Sequence, residues 1–333
     1  MNSDLVTVII PTYNRAHLLL NALNSVLRQT TPVHEIIVVD DGSTDDTPRI
    51  VCEFLTERRI PDDRVRFLRQ ANQGKSAALN HGMTRATGEW IAILDSDDLW
   101  LPQKMELQWR AIRECGEDCG VCFTDAEFTN DPETKLTAFQ KAGKFDGREL
   151  GSIPDALAFI LDHPHGVYIQ TVLMRADVLR KVGEFDVALR ISEDTDYLFR
   201  LALVTRFCYF NRPLVQIDRA ASRTGSLTEL IRKDSVRIEQ RQHMYWKWLW
   251  LAGDRPMKYQ RYIRKELRGA LSEEVNLHLL NGDPKRALEA MDRVRAFQGS
   301  SLGSLKWAAM RLAPELVAKG VRLRARLVKP KGF

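Results

Sequence analysis

The sequence predicts an α/β fold: a mostly parallel sheet flanked by helices, followed by a helical C-terminal region. Three observations carry this expectation. Apolar runs of strand length alternate with helix-length segments early in the chain, each run ends in polar residues, and the last third turns basic and helical in pattern. Strands separated by helices of roughly 10 to 15 residues imply right-handed βαβ units.

Leu5-Val-Thr-Val-Ile-Ile10 is the first buried strand, and Pro11-Thr-Tyr-Asn-Arg15 is a turn opening a helix through Gln29. Glu35-Ile-Ile-Val-Val39 is the second strand, and Thr44 or Asp45 caps a helix through Thr56. Arg64-Val-Arg-Phe-Leu68 alternates as a third strand, and Asn72-Gln-Gly-Lys75 opens a helix to Ala86. Trp90-Ile-Ala-Ile-Leu94 is the fourth strand and ends in Asp95, Asp97 and Asp98. Pro102 to Glu114 reads as a helix and Gly120-Val-Cys-Phe-Thr124 as a strand. Residues 130–151 read as a loop or short hairpin, Ile153 to Leu161 as a helix, and Thr171-Val-Leu-Met174 as a buried strand.

The charge is uneven along the chain. Residues 219–333 hold 25 Lys and Arg against 11 Asp and Glu, whereas residues 1–218 hold 24 against 33. That division predicts two parts, 1–220 and 221–333. A polar N-terminus running straight into a strand predicts no signal peptide, and no stretch of about 18 apolar residues is present to span a membrane. Five unevenly placed cysteines fit reduced thiols, so a cytoplasmic protein is expected. Cys115, Cys119 and Cys122 have a C-x3-C-x2-C spacing, but a helix end and a strand separate them, so an iron–sulfur cluster is not expected. His163 and His165 flank Pro164 in a turn, where a loop role is favoured over a substrate contact.

The polar strand ends suggest the chemistry. In open α/β sheets, ligands bind outside the carboxyl ends of the strands. Asp95 and Asp97 point the same way if the strand continues, and a cation between them relieves their repulsion. Tyr13 can pack on a base or ribose, Asp41 can accept a base N–H or ribose hydroxyls, and Lys75 at a helix start can meet a phosphate. Singly, each is a turn residue as readily as a ligand contact. No G-x-G-x-x-G follows the first strand and no phosphate-binding G-x-x-x-x-G-K-[ST] occurs.

Pro11-Thr-Tyr-Asn-Arg15, Val39-Asp-Asp-Gly-Ser-Thr-Asp45, Asn72-Gln-Gly74 with Ala77 and Asn80, Leu94-Asp-Ser-Asp-Asp98, Val182-Gly-Glu-Phe-Asp186 and Ser192-Glu-Asp-Thr-Asp196 occur in that order. This ordered set closely resembles the family 2 glycosyltransferases over roughly residues 5–218. The resemblance implies a GT-A fold with a Rossmann-like mixed sheet and an inverting reaction on a UDP-, GDP- or dTDP-sugar. It implies that Tyr13 and Asp41 hold the nucleoside, with Pro11 and Thr12 lining its pocket and Asn72 and Gly74 shaping the backbone near the donor. Asp95 and Asp97 correspond to the Asp-x-Asp element, with Asp97 facing Mg²⁺ or Mn²⁺ on the diphosphate. Asp194 corresponds to the general base. The alternative for Glu193, Asp194 and Asp196 is a set of first-turn acids on a helix capped by Ser192.

One departure stands out. Many relatives carry a His after the last strand, whereas Asp218-Arg-Ala-Ala-Ser-Arg223 has none; Arg219 or Arg223 is a substitute for it, or this is a solvated loop. The expected partners are a nucleotide sugar and a glycan or lipid-linked glycan acceptor in cell-surface polysaccharide or glycolipid synthesis. A non-enzymatic nucleotide-sugar binder of the same fold is the alternative, and a nucleotidyltransferase would want a Gly-rich basic loop where Pro11-Thr-Tyr-Asn14 stands.

The last hundred residues read as helices over Leu230–Trp250, Tyr259–Leu280 and Lys285–Phe297. Residues 302–331 carry eight Lys and Arg against Glu315 alone. Such a basic amphipathic tail lies either on the inner face of an anionic membrane or against its own domain. Nucleic-acid binding is not expected, because no recognition motif accompanies the charge.

Overall fold

The computed structural model describes residues 5–116, 118–131, 135–143, 147–163, 166–219, 234–298, 311, 315 and 317–319. The chain divides into two compact units, Met1–Arg223 and Thr224–Phe333. In the first unit, β1 (Val6–Thr12), β2 (Glu35–Asp40), β3 (Val65–Arg69) and β4 (Trp90–Ile93) form a parallel sheet in the order β3-β2-β1-β4. Their connections are α1 (Leu19–Leu27), α2 (Thr47–Glu57) and α3 (Lys75–Arg85). Every residue of β1, β2 and β4 is buried, which is why these strands read as continuous apolar runs rather than alternating ones.

The remaining elements extend the sheet. They are β5 (Leu99–Trp100), α4 (Lys104–Cys115), β6 (Cys119–Thr129), α5 (Ala138–Ala142), β7 (Leu150–Ile153), α6 (Ala156–Asp162), β8 (Leu173–Arg175), α7 (Ala176–Val182), α8 (Glu193–Ala202) and β9 (Arg206–Asp218). The order continues β4-β8-β6-β9-β5, with β7 also on β9. β8 is antiparallel to both β4 and β6, and β6 and β9 run parallel, so the sheet is mixed.

Register brings the polar strand ends to one edge. Ile9 lies opposite both Ile37 and Ile93, and Thr12 opposite Asp40, so Thr12, Asp40 and Asp95 emerge together. α3 lies close on this sheet because Gly82 has no side chain; a Cβ there would meet Ile9 Cγ2 at 2.6 Å.

Several expected boundaries shift. The first helix begins at Leu19, after the turn. Asp45 accepts from the Thr47 N–H at 2.9 Å, while Asp46 occupies the cap position without a side-chain cap bond. The segment expected as loop between 130 and 151 contains α5, begun by a Thr137–Gln140 capping box, and the start of β7. Ile153 belongs to β7, and the helix after it starts at Ala156 with Asp155 accepting from the Ala158 N–H. Thr171 ends a single 3-10 turn (Ile169–Thr171), and the strand follows at Leu173. The short strands exist through pairing with distant partners, so local pattern could not place them.

Cys119, Cys122 and Cys208 are buried and all five cysteines are free thiols. Cys122 lies opposite Cys208 on adjacent strands, and the described residues contain no set of three His, Cys, Asp or Glu able to hold a metal.

In the second unit, α9 (Asp234–Ala252), α10 (Met257–Leu280) and α11 (Pro284–Gln298) are the described helices. Leu267, Leu271, Val275 and Leu279 of α10 pack with Ala287, Ala290, Met291 and Val294 of α11 in one core. Gly282, at φ 77°, makes the turn between them. No described helix is long and apolar enough to cross a membrane. The basic stretch 302–333 lies outside the described residues except at 311, 315 and 317–319.

Candidate active site

Two turns at the carboxyl edge are laced together by Asn14. It holds a left-handed backbone (φ 51°), its N–H donates to Ser43 Oγ at 2.9 Å, and its Oδ1 accepts from the Thr44 N–H at 2.8 Å. Tyr13, beside it, is 43% exposed. Pro11 and Thr12 are buried beneath, and Thr12 Oγ1 has no hydrogen-bond partner. This leaves an exposed aromatic ring above a polar atom at the end of β1.

Asp41 faces inward. Its carboxylate accepts from Gln70 Nε2 at 2.8 Å, the Gln73 N–H at 2.9 Å and the Gly74 N–H at 2.8 Å. It therefore builds the loop that carries Asn72 and Gly74. Gly74 sits at φ 93° and Gly42 approaches so closely that a Cβ would lie 2.9 Å from the Asn72 nitrogen. Only residues without side chains suit those two positions.

The three aspartates after β4 have different surroundings. Asp95 is held by Lys75 Nζ at 2.8 Å and by Gln170 Nε2 at 2.5 Å. Asp97 is partly exposed and lies 3.7 Å from Arg15 Nε, which ties the first turn to the fourth. Asp98 is buried and accepts from the Asp218 N–H at 2.9 Å. Burial, reinforced by the charges of Asp95 and Asp97, raises the Asp98 carboxyl well above the usual range.

Lys75 also reaches Glu193 at 3.4 Å, so one ammonium joins the β4 turn to the start of α8. Burial alone would lower its pKa, but Asp95, Glu193 and Asp194 more than offset this and hold it above an ordinary lysine. Burial pushes the Glu193 carboxyl up to about 7, against the pull of Lys75 and with a further push from Asp194. Lys75, which the sequence marks as able to meet a phosphate, thus contacts two carboxylates.

Asp194 follows in the first turn of α8. Its Oδ1 accepts from the Thr195 N–H at 2.7 Å, and among the described residues no donor meets Oδ2. Ser192 makes no side-chain cap bond and holds φ 63°, a strained conformation for a non-glycine residue. Ser192 thus occupies the cap position without a side-chain cap bond, and Glu193, Asp194 and Asp196 are acids of the first turn of α8. α8 is positioned instead by the 182–189 segment. Phe185 stacks on Tyr197 with ring centroids 3.8 Å apart, Asn80 of α3 exchanges two hydrogen bonds with the Phe185 backbone, and Arg200 Nη1 donates to Val182 O at 2.9 Å.

Near the missing histidine, Arg219 lies over the Phe128 and Tyr168 rings at 5.2 and 5.4 Å. Burial raises the Tyr168 hydroxyl, Arg219 opposes that, and the Asp194 charge adds to it. Arg223 and His165 lie outside the described residues. His163 stacks on Phe159 at 4.9 Å and its Nδ1 meets Phe159 O, so it packs rather than facing a ligand.

Gln170 escaped sequence reasoning. It is nearly buried in the 3-10 turn before β8, Trp100 Nε1 donates to its backbone oxygen at 3.0 Å, and its Oε1 has no partner. Nothing local marks such a residue, because only the sheet brings it to Asp95.

The profile described as Glycosyl transferase family 2 matches residues 7–183, just over half of the chain. The chain belongs to glycosyl transferase family 2. Among similar proteins, this family 2 chain is 29% identical over 216 residues to an uncharacterised glycosyltransferase of Rickettsia typhi, covering 64% of each chain. It is 26% identical over 348 residues to the succinoglycan biosynthesis protein ExoO of Rhizobium meliloti, covering 98% of this chain and 88% of the other. The crystal structure of S. aureus TarS 1–349 in complex with UDP-GlcNAc superposes with a TM-score of 0.67 at 20% identity, covering 99% of this chain and 93% of the other. The fold is of the GT-A type, a mixed sheet flanked by helices, with a helical C-terminal region.

Proposed function

We propose that this protein is an inverting glycosyltransferase that moves a sugar from a nucleoside diphosphate to an acceptor hydroxyl. The observation that supports this most is Lys75, whose ammonium joins Asp95 on the donor side to Glu193 beside Asp194. Sugar transfer needs those two regions in one site, because the acceptor oxygen attacks the anomeric carbon opposite the departing diphosphate. Asp194 takes the acceptor proton as the new C–O bond forms and the bond to the diphosphate breaks. Such general-base help is typically worth about 10²–10⁴-fold. A base at a helix N-terminus is a weak one in water and gains strength when bound sugars exclude solvent.

Tyr13, Thr12 and Pro11 line the nucleoside side of the site, and Asp41, Asn72 and Gly74 keep the loop there in shape. Asp97 is the accessible carboxylate of the Asp-x-Asp pair, and a hard cation with phosphate oxygens as its other ligands suits a single carboxylate of this kind. When bound, Mg²⁺ or Mn²⁺ supplies charge neutralisation for the leaving diphosphate. Mannosyltransferase PcManGT, whose structure contains GDP-Man and Mn²⁺, and TarS with UDP-GlcNAc make UDP- and GDP-sugars the first donors to try. The acceptor is a glycan or lipid-linked glycan, by analogy with a relative named for succinoglycan biosynthesis.

Thermal unfolding of the full chain against a panel of UDP-, GDP- and dTDP-sugars with Mn²⁺ tests the reading, since a bound ligand raises the midpoint by mass action. One donor should stabilise the protein, and NMR of the transferred product should show the opposite anomer. Retained configuration would remove the single-displacement mechanism, and no stabilisation by any nucleotide sugar would remove the donor class.

A further inference from the structure

We propose that the α9–α10 hairpin of the second unit docks on an anionic lipid surface. The face is built from two stripes. On α9, Trp246 and Trp250 are four residues apart and share one side, 47% and 80% exposed. On α10, Met257, Lys258, Arg261, Arg264, Lys265 and Arg268 are all exposed. Their spacing of one, three or four residues puts them on one side of that helix over about 15 Å.

The stripes meet. Trp246 packs edge-on against Phe297 at 5.2 Å, and the Arg264 guanidinium lies 5.7 Å from the same ring. The turn between the helices adds exposed Arg255 beside Met257, which is 58% exposed. Between residues 253 and 269 six cations are exposed and Asp254 is the exposed carboxylate. Among the described residues Arg261, Lys265 and Arg268 form no ion pair.

Two indoles and a thioether left in water on a hairpin that also exposes six cations are costly for helices that only cap their own core. Indole and thioether enter the headgroup boundary, while lysine and arginine stems reach along it to lipid phosphates. Nucleic acid fits less well. Trp246 already holds Phe297 edge-on, and Met257 offers no stacking face. With no described helix fit to span a bilayer, the hairpin lies on the surface.

The test uses the full chain and vesicles of pure phosphatidylcholine or of phosphatidylcholine with phosphatidylglycerol. Flotation should occur with the anionic vesicles, fall with added salt, and be accompanied by a blue shift of tryptophan emission. Neutralising three charges in Arg261→Gln/Lys265→Gln/Arg268→Gln should weaken partition on the order of 100-fold. Trp250→Ala should weaken it about tenfold. Both variants should unfold at the parental temperature. A matched variant neutralising Arg322, Arg324 and Arg326 should keep hairpin-dependent binding. Equal flotation by the hairpin variants and the parent, or equal binding to neutral vesicles, would overturn the proposal. So would binding of a single-stranded oligonucleotide through Trp250 with no flotation.

Discussion

Gln170 donates its side-chain amide to Asp95 across 2.5 Å, while its own Oε1 stays buried without a partner. An orphaned buried carbonyl costs about 1–3 kcal/mol, so this contact is held against a local penalty. Gln170→Leu should relieve the orphan and leave Asp95 held by Lys75 alone, free to turn about that contact. The variant should melt at or above the parental temperature yet lose about tenfold or more in kcat. Steady-state kinetics beside a thermal melt checks this, and unchanged kcat would detach Gln170 from the site.

Asp194→Asn should fold and bind donor normally but transfer sugar about 10²–10⁴-fold more slowly. Calorimetry for donor binding and a product assay separate the two effects. Near-normal turnover would exclude Asp194 as the base.

Asp97→Ala should weaken donor binding and abolish its dependence on a divalent ion. The same weakening should follow chelation of the parental protein. Calorimetric titration with and without chelator reads both, and donor binding indifferent to chelator would rule out the metal role of Asp97.

Burial pushes the Glu193 carboxyl up from its ordinary 4.5 to about 7, so the folded state binds more protons between those values. Its contribution to stability is full below about 4.5 and is lost as pH rises through 7. Relative to the parent, Glu193→Gln should therefore gain in melting temperature from pH 5 to pH 8. A constant difference across that range would mean the carboxyl is not raised.

Lys104 has the opposite sign. It is fully buried against Trp100, donates to Gln108 Oε1 at 2.7 Å, and burial lowers its pKa from 10.5 to about 7. The unfolded chain then binds more protons between 7 and 10.5, so this group makes stability rise with pH over that window. Lys104→Met should melt about 2 °C or more above the parent at pH 7, with the gap closing toward pH 10. Melts at pH 6, 8 and 10 measure it.

Much of this was legible in the chain because it is written locally. β1, β2 and β4 are short apolar runs, and the acids of the β4 turn and α8 follow them or open a helix. What joins those acids is not local. Arg15 meets Asp97 across 82 residues of chain, through the parallel register of β1 and β4, and Lys75 meets Glu193 across 118, through the seating of α8 on the 182–189 segment. Lys75 at a helix start reads as able to meet a phosphate, but its two carboxylate contacts come from residues 20 and 118 positions further along the chain and have no local signature. β7 and the turn carrying Gln170 have weak patterns of their own; β7 exists through β9, and the turn packs on β4 and β6.

Gly82 sets the distance between Lys75 and everything else. With no room for even a methyl group above Ile9, α3 is seated at a fixed height on the sheet, and the ammonium two turns back inherits that height. Engineers who wish to retune the donor pocket should therefore leave this glycine untouched, since a change there would move the lysine without altering a single residue that a substrate meets.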